Sequence, residues 1–141
     1  GKGMLAAMAL GADGVQIGTR FVASKESSAH DKFKKSIVES VEGDTMLMLK
    51  KITPVRLMKN KFFSKVKDAE EKGATTEELS ALLGKARAKK GMFEGDLDEG
   101  ELEIGQICAL VRKIKPAAEI VHEIIEEFIR AKNELCAQLK V

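Results

Sequence analysis

Tryptophan and tyrosine are absent from the sequence, and its aromatic residues are six phenylalanines, 4% of the chain. This composition argues against a single-stranded nucleic-acid-binding protein that stacks bases on aromatic rings. Neither sign of charge is in large excess, because 24 Lys and Arg residues and 22 Asp and Glu residues leave a net charge of +2. Overall charge therefore favours neither nucleic acid nor a membrane surface as a partner.

Cysteine and histidine are scarce, with two of each in the chain. Cys108 and Cys136 are too few for a disulfide framework, and their spacing matches no zinc motif, so we expect no metal site. A long apolar run is lacking as well, since Met4–Leu10 is too short to span a bilayer and no segment has the pattern of a signal peptide. We expect a reducing, cytoplasmic setting.

The length of 141 residues bounds the fold. It is the length of one domain, and it is too short for a complete eight-fold α/β barrel, which needs about 250 residues. Apolar residues make up 44% and charged residues 33%, with two prolines, a composition typical of a globular, helix-rich protein. Because the first residue is glycine, we expect a chain that has been processed, trimmed or cut.

The first 41 residues predict an α/β unit. Residues 1–10 have apolar positions at helical spacing, Val15–Ile17 predicts a short buried strand, and residues 20–23 predict a helical turn. A serine at position 27 or 28 is expected to cap a helix that runs to about residue 41. Helix, tight turn, strand and helix in this order are typical of an α/β protein.

The remaining residues predict mostly helix with high charge. Residues 44–58 fit either a strand or a buried helical turn, and residues 91–100 predict an acidic loop. Helices are expected over 60–72, over 75–90 with Thr75 or Thr76 as the cap, over 103–113, and from Pro116 onwards with an apolar stripe of Ile120, Ile124, Phe128, Ala131, Leu135 and Leu139. The predicted organisation is a βα unit over 1–26, a mostly helical region over 27–115 and a C-terminal helix over 116–141.

The most informative motif is GADGVQIGTRF at residues 11–21. Gly18 and Thr19 lie where the predicted strand ends and a helix begins. Glycine allows an anion to approach the backbone closely, and N–H groups at a helix start, with the threonine hydroxyl, are donors for a phosphate. The same pattern also fits a plain strand–turn–helix with threonine as a cap, so the pattern alone leaves both interpretations open.

Six segments in order carry a resemblance over almost the whole chain: residues 4–22, 25–30, 41–45, 56–61, 93–97 and 101–106. They resemble the FMN-dependent enoyl-acyl-carrier-protein reductase II family and its relatives, the nitronate monooxygenases, once called 2-nitropropane dioxygenases. The last segments are more similar to the reductase branch. The resemblance implies an α/β fold, namely the C-terminal part of a flavoprotein (β/α)8 (TIM) barrel with a mostly helical substrate domain, in which this chain itself is mainly α-helical.

The resemblance also implies site residues. The family residues that match Gln16, Gly18 and Thr19 contact FMN, with the glycine and the threonine at its phosphate, so FMN is the implied cofactor and NAD(P)H the co-substrate. The family's catalytic histidine lies in a Gly-His motif on an earlier strand, upstream of this chain. His30 and His122 do not match that motif, and we therefore expect no catalytic residue here.

Other candidate residues have a structural and a functional interpretation. For His30 we favour a capping or surface role, and for His122 an exposed helical position. Met46 and Met48 are more typical of a core than of a cofactor site. Gln106 matches a family segment on the substrate side of the flavin, where it could bond a carbonyl or ring atom, but a plain helix-start amide fits equally well.

A basic segment from Lys32 to Lys67 contains ten Lys and Arg residues and three Asp and Glu residues, a local charge of +7. Carrier proteins are typically acidic, and a basic face would steer one towards the site. We hypothesise that Arg56, Lys59 and Lys61 help to dock the carrier; a solvated helical surface explains the same charges.

Two classes of function follow. In the first, the chain is the C-terminal portion of an enzyme that reduces enoyl-acyl carrier protein with NAD(P)H in fatty acid synthesis, or of a nitronate monooxygenase. The expected partners are then acyl carrier protein or a small nitronate, the missing N-terminal half of the barrel, and a second copy in a homodimer, without nucleic acid or membrane. In the second, the chain is a non-catalytic helical protein-binding module. Under the first, the isolated chain is expected to be inactive.

Overall fold

The computed structural model describes residues 1–139, and Lys140 and Val141 at the end of the predicted C-terminal segment lie outside them. Helices dominate these residues, with one two-stranded antiparallel sheet. The elements in chain order are α1 (Lys2–Ala9), α2 (Thr19–Val22), α3 (Asp31–Glu39), β1 (Thr45–Met48), β2 (Val55–Met58), α4 (Lys61–Glu71), α5 (Thr76–Leu83), a π-helical turn (Lys89–Phe93), a 3₁₀ helix (Gln106–Leu110) and α6 (Ala117–Gln138). No helix within residues 1–139 is long and apolar enough to cross a membrane.

The N-terminal unit has the two predicted helices but not the predicted strand. Helices α1 and α2 form as expected, whereas Val15–Ile17 has no regular secondary structure. A strand needs a hydrogen-bonded neighbour, and within residues 1–139 no segment pairs with this one. An isolated parallel bridge from Ser24 to Lys115 instead ties the end of this unit to the start of α6.

Helix α3 begins later than predicted, because His30 rather than a serine is its cap. The His30 Nδ1 accepts a hydrogen bond of 3.1 Å from the Lys32 N–H. Ser27 forms a turn of its own, in which its Oγ accepts from the Ala29 N–H. This confirms the capping role favoured for His30 and corrects the helix start to Asp31.

The ambiguous stretch 44–58 is a β-hairpin. Strands β1 and β2 pair antiparallel from Thr45 opposite Met58 to Met48 opposite Val55. Residues two apart share a face of a strand, but of the two methionines only Met48 is buried, in the apolar core, whereas Met46 is exposed. The core role favoured for this pair therefore applies to Met48 alone.

Helix α5 is shorter than predicted. It begins with the expected capping box, in which Thr75 and Glu78 bond each other's backbone, but it ends at Leu83. Gly84 follows with a φ of 65°, a backbone conformation that stops a helix. A π-helical turn then occupies part of the segment predicted to be helix and acidic loop.

The predicted helix over 103–113 is mostly wrong. Residues up to Gly105 run extended beside β2, where the Met58 N–H donates to the Leu102 carbonyl and the Ile104 N–H donates to the Arg56 carbonyl. These bonds satisfy the backbone in a strand-like conformation, so tertiary pairing overrides helical propensity here. Within the predicted range 103–113, only Gln106–Leu110 are helical, and they form a 3₁₀ helix.

Two apolar clusters hold the elements together. The first packs α3 against the extended segment and the 3₁₀ helix through buried Ala23, Phe33, Ile37, Met58, Leu102, Ile104, Cys108 and Val111. The second packs the hairpin against α4 and α5 through buried Met48, Leu49, Leu57, Phe62, Phe63, Val66 and Leu79. Because Leu57 and Met58 belong to different clusters, β2 lies between the two.

Helix α6 packs on α1 over only part of its predicted stripe. Pro116 is the residue before the helix rather than its first, and the Glu26 carboxylate accepts from the Ala117 N–H to cap it. Ile120 and Ala131 are buried, whereas Leu135 and Leu139 are exposed. A second row of apolar residues on α6 is also exposed, namely Val121, Ile125 and Ile129.

Asn60 connects α4 to the segment that precedes Gly105. Its Oδ1 accepts from the Phe63 N–H as the helix cap, and its Nδ2 donates to the carbonyls of Leu97 and Gly100, each at 2.8 Å. One side chain therefore fixes the start of α4 and the path of the acidic loop.

We predict that Asn60→Ala lowers the free energy of unfolding by about 2–4 kcal/mol, since it removes a helix cap and two further hydrogen bonds. Thr75→Ala is the matched control, because it removes a cap with no ties outside its own capping box, and it is expected to cost about 1 kcal/mol. Urea unfolding of both variants measures the difference. Equal losses of unfolding free energy in the two variants would show that the bonds from Asn60 to the loop do not contribute to stability.

Candidate functional site

Gly18 ends the N-terminal loop and precedes α2. Its φ is −91°, a value that any residue adopts, and a Cβ placed here would meet no atom within 4 Å. Nothing in residues 1–139 therefore requires a glycine at this position. A backbone left open towards solvent is what close approach of a ligand would need.

Thr19 joins this loop to a segment far along the chain. The Gly105 N–H donates to the Thr19 Oγ1 at 3.0 Å. A Cβ on residue 105 would lie 2.5 Å from the same oxygen, so only glycine allows this approach. The bond uses the Thr19 oxygen as an acceptor and leaves its hydroxyl proton available for an acceptor outside the chain.

A cleft of about 410 Å³ opens beside this junction. The loop at Gly18, the β2 strand and the extended segment each form one wall. The lining residues are Gly18, Thr19, Val22, Pro54, Val55, Arg56, Glu103, Ile104 and Gly105. Two cofactor-binding residues predicted from the sequence thus lie together, and Arg56 lies with them.

The three residues predicted to dock a carrier protein are in different environments. Arg56 is half-buried in the cleft, and its Nη1 donates to the carbonyl and the Oγ1 of Thr45 at 3.2 Å each. Lys59 is exposed, and Lys61 is exposed with its Nζ 3.2 Å from the Asp98 carboxylate. Only the two lysines are thus on an open surface.

The two predicted glutamine contacts lie outside the lining of the cleft. Gln16 and Gln106 are both exposed and neither lines it. Gln106 follows Gly105 directly at the start of the 3₁₀ helix, so the bond from Thr19 also fixes the position of Gln106. Gln16 lies between Val15 and Ile17, which face a second cleft.

That second cleft, of about 970 Å³, lies between α1 and α6. Its walls are mainly apolar, with charged side chains such as Arg20, Glu123 and Arg130 around them. The apolar lining residues are Met4, Val15, Ile17, Ile107, Leu110, Ile120 and Ile124. Leu110 and Ile107 are among the exposed large hydrophobic residues, so this face presents apolar surface to water.

Glu101 and Glu103 were not singled out in the sequence. Glu101 is buried, and its pKa is raised first by that burial and then by the charge of Glu103, while Arg87 opposes the shift. Glu103 is exposed and lines the cleft beside Thr19. No local motif could have indicated this, because 84 residues separate Glu103 from Thr19 in the chain.

The histidines take no part in the cleft. His30 caps α3 as described, and the exposed His122 lies with its Nε2 3.2 Å from the Glu126 carboxylate, one helical turn away. Within residues 1–139, no group of three or more His, Cys, Asp or Glu side chains is arranged to hold a metal ion.

We predict that Thr19→Val lowers the free energy of unfolding by about 1–3 kcal/mol, because it leaves the half-buried Gly105 N–H without an acceptor. Thr19→Ser keeps the oxygen and serves as the control, with a smaller loss expected. Urea unfolding and the hydrogen-exchange rate of the Gly105 amide measure the effect. If valine and serine behaved alike in both measurements, the bond would have no structural role.

Comparison with known proteins gives a consistent family. The family model for nitronate monooxygenase matches residues 1–127. A probable nitronate monooxygenase from Staphylococcus saprophyticus is 32% identical over 137 residues, which cover 96% of this chain and 37% of that protein. The nitronate monooxygenase of Paraburkholderia phytofirmans is 30% identical over 136 residues, with the same coverage of 96% and 37%.

Solved structures agree with this assignment. FabK from Thermotoga maritima superimposes with a TM-score of 0.89 at 35% identity, over 99% of this chain and 44% of that one. A nitroalkane oxidase from Streptomyces ansochromogenes superimposes with a TM-score of 0.68 at 29% identity, over 94% of this chain and 38% of that one. The chain thus spans about two fifths of the length of the proteins that it matches.

These matches confirm the predicted fold class, a mainly helical chain that forms part of a barrel flavoprotein. They also confirm the resemblance on which the site residues were chosen. With the family model matching 127 of 141 residues, the chain belongs to the nitronate monooxygenase family.

Proposed function

We propose that this chain is the part of an FMN-dependent oxidoreductase that holds the phosphate end of the flavin, and that the reaction is the reduction of an enoyl thioester on acyl carrier protein with NAD(P)H. The single observation that carries the proposal is the junction of Gly18, Thr19 and Gly105. Membership of the family supports a flavin cofactor, and the junction supports binding of its phosphate at this position.

The residues present fit a phosphate. Gly18 leaves open space where a side chain would be, Thr19 has a hydroxyl proton to donate, and Arg56 brings a positive charge to the same cleft. Backbone, hydroxyl and guanidinium donors are the groups that bind phosphate oxygens in proteins.

When bound, the flavin supplies the hydride chemistry, and the protein's contribution is placement and electrostatics. Gly18 and Thr19 would bind the phosphate and so fix one end of the cofactor. Thr19 also fixes Gly105, and Gln106 follows it towards the substrate side, where its amide would orient a carbonyl.

The choice of reaction rests on degree of similarity. The likeness to FabK is greater, in identity and in superposition, than the likeness to the nitroalkane oxidase. The sequence relatives, by contrast, bear the name nitronate monooxygenase. Oxidation of a nitronate with the same flavin and O₂ is therefore the second candidate.

The exposed apolar surface supports a further part of the proposal. The cleft between α1 and α6, whose lining includes the exposed Ile107 and Leu110, is an apolar surface of the kind that soluble single chains rarely leave uncovered. We propose that the remaining part of the barrel, which the longer relatives contain, covers it. The 141 residues by themselves are then expected to bind FMN poorly and not to turn over. A cytoplasmic location belongs to the same proposal.

The reaction is tested with the complete protein, meaning this chain together with the rest of its barrel. We expect NAD(P)H oxidation that depends on enoyl-acyl carrier protein, measured without O₂ so that flavin oxidation by air does not contribute. O₂ consumption with an alkyl nitronate, without NAD(P)H oxidation by the enoyl substrate, would identify the monooxygenase instead. A complete protein that binds no flavin and turns over neither substrate would support the non-catalytic helical module.

Carrier docking is proposed for Lys59 and Lys61, the two exposed members of the predicted set. Lys59→Glu with Lys61→Glu is expected to raise the KM for carrier-bound enoyl substrate several-fold at low salt, and less at high salt. The KM for the same enoyl chain on coenzyme A should not change. Lys72→Glu, exposed at the far end of α4, is the control. An unchanged KM in the double variant would refute docking at these lysines.

A further inference from the structure

Within the basic segment from Lys32 to Lys67, Arg56 is among the cations that no carboxylate neutralises, and it differs in this from three lysines close to it in the chain. Lys61, Lys65 and Lys67 each lie within 3.2 Å of a carboxylate. Arg56 has no carboxylate oxygen within 4.0 Å among residues 1–139, although it is half-buried. A guanidinium that borders a cleft and has no carboxylate partner is suited to bind an anion that enters the cleft.

The guanidinium of Arg56 is anchored at one end by Thr45. It bonds Thr45 on the neighbouring strand through a single nitrogen, Nη1. A guanidinium has five N–H donors, and within residues 1–139 the bonds to Thr45 are the only ones that this side chain makes. The remaining donors are arranged as a fork that matches two oxygens of a phosphate.

The other residues of the cleft that Arg56 lines indicate which anion it would bind. Its cleft also contains Gly18 and Thr19, where the proposed function puts the flavin phosphate. We propose that Arg56 recognises this phosphate and so makes the site selective for FMN over riboflavin, which has the same ring and side chain without the phosphate. This inference rests on the proposed function.

Glu103 is the opposing charge in the same cleft. Its exposed carboxylate lies more than 4.0 Å from the Arg56 nitrogens, since the two form no ion pair. A carboxylate here repels a phosphate, so its removal should help FMN rather than harm it. Arg56 and Glu103 therefore provide two variants in one cleft with effects of opposite sign.

The test is the ratio of the dissociation constants for riboflavin and FMN, measured by fluorescence titration of the complete apo-protein. Arg56→Gln is expected to weaken FMN binding about tenfold or more, because it removes a charge-assisted contact, and to leave riboflavin binding within about twofold. The charge-conserving Arg56→Lys should retain part of the preference. Thr45→Val should lower the preference as well, because the guanidinium loses one of its orienting bonds.

Two controls separate a local effect from a general one. Glu103→Gln should keep or raise the preference for FMN. Lys50→Gln, which removes a charge from the exposed turn of the same hairpin, should leave both constants unchanged. Riboflavin binding also reports whether each variant is folded, because it does not depend on the phosphate.

Each outcome has a distinct meaning. If the wild-type protein binds neither flavin, the proposed function fails. If it binds FMN more tightly than riboflavin and Arg56→Gln keeps the same ratio, the proposed function stands and the role of Arg56 is refuted. A raised KM for NAD(P)H with an unchanged ratio would likewise refute it, since Arg56 would then bind the nicotinamide coenzyme.

Discussion

The hydrogen bond from the Gly105 N–H to the Thr19 Oγ1 is the contact on which the site depends. It joins two segments that are 86 residues apart, and it requires glycine at position 105 because a Cβ would collide with the oxygen. Through this one bond, the loop at Gly18 and the segment that leads to Gln106 take fixed positions relative to each other. A hydroxyl at position 19 thus serves the fold and the proposed cofactor at once.

Gly105 is itself positioned by a short series of bonds from the helical region. Asn60 holds the loop at Leu97 and Gly100, and the chain then runs beside β2, bonded at Met58 and through the Arg56 carbonyl. The two apolar clusters lie on either side of that strand. The hairpin is therefore both the centre of the packing and the wall of the cleft that carries Arg56.

The sequence predicts the local features well, because caps and breaks are local chemistry. Asn60 begins α4 and Thr75 with Glu78 begins α5, as expected. Two predictions are wrong for local reasons, since His30 rather than a serine caps α3 and Gly84 ends α5 early. Two others are wrong for non-local reasons: Val15–Ile17 lacks a partner within residues 1–139, and residues 103–105 pair with β2 instead of forming a helix. That Arg56 and Gly18 line the same cleft could not be predicted from the sequence either, because no spacing rule links a hairpin to a distant loop. The motif and the resemblance both indicate Gly18 and Thr19, whereas the resemblance alone indicates Gln16, and the role of all three in binding stays a proposal.

The most direct test of the central claim is a crystal structure of the complete protein with FMN bound. The account predicts that the phosphate lies in the cleft beside β2, within hydrogen-bond distance of the Gly18 backbone and the Thr19 hydroxyl, with the bond from Thr19 to Gly105 intact. A phosphate bound elsewhere, for example in the apolar cleft between α1 and α6, would contradict it.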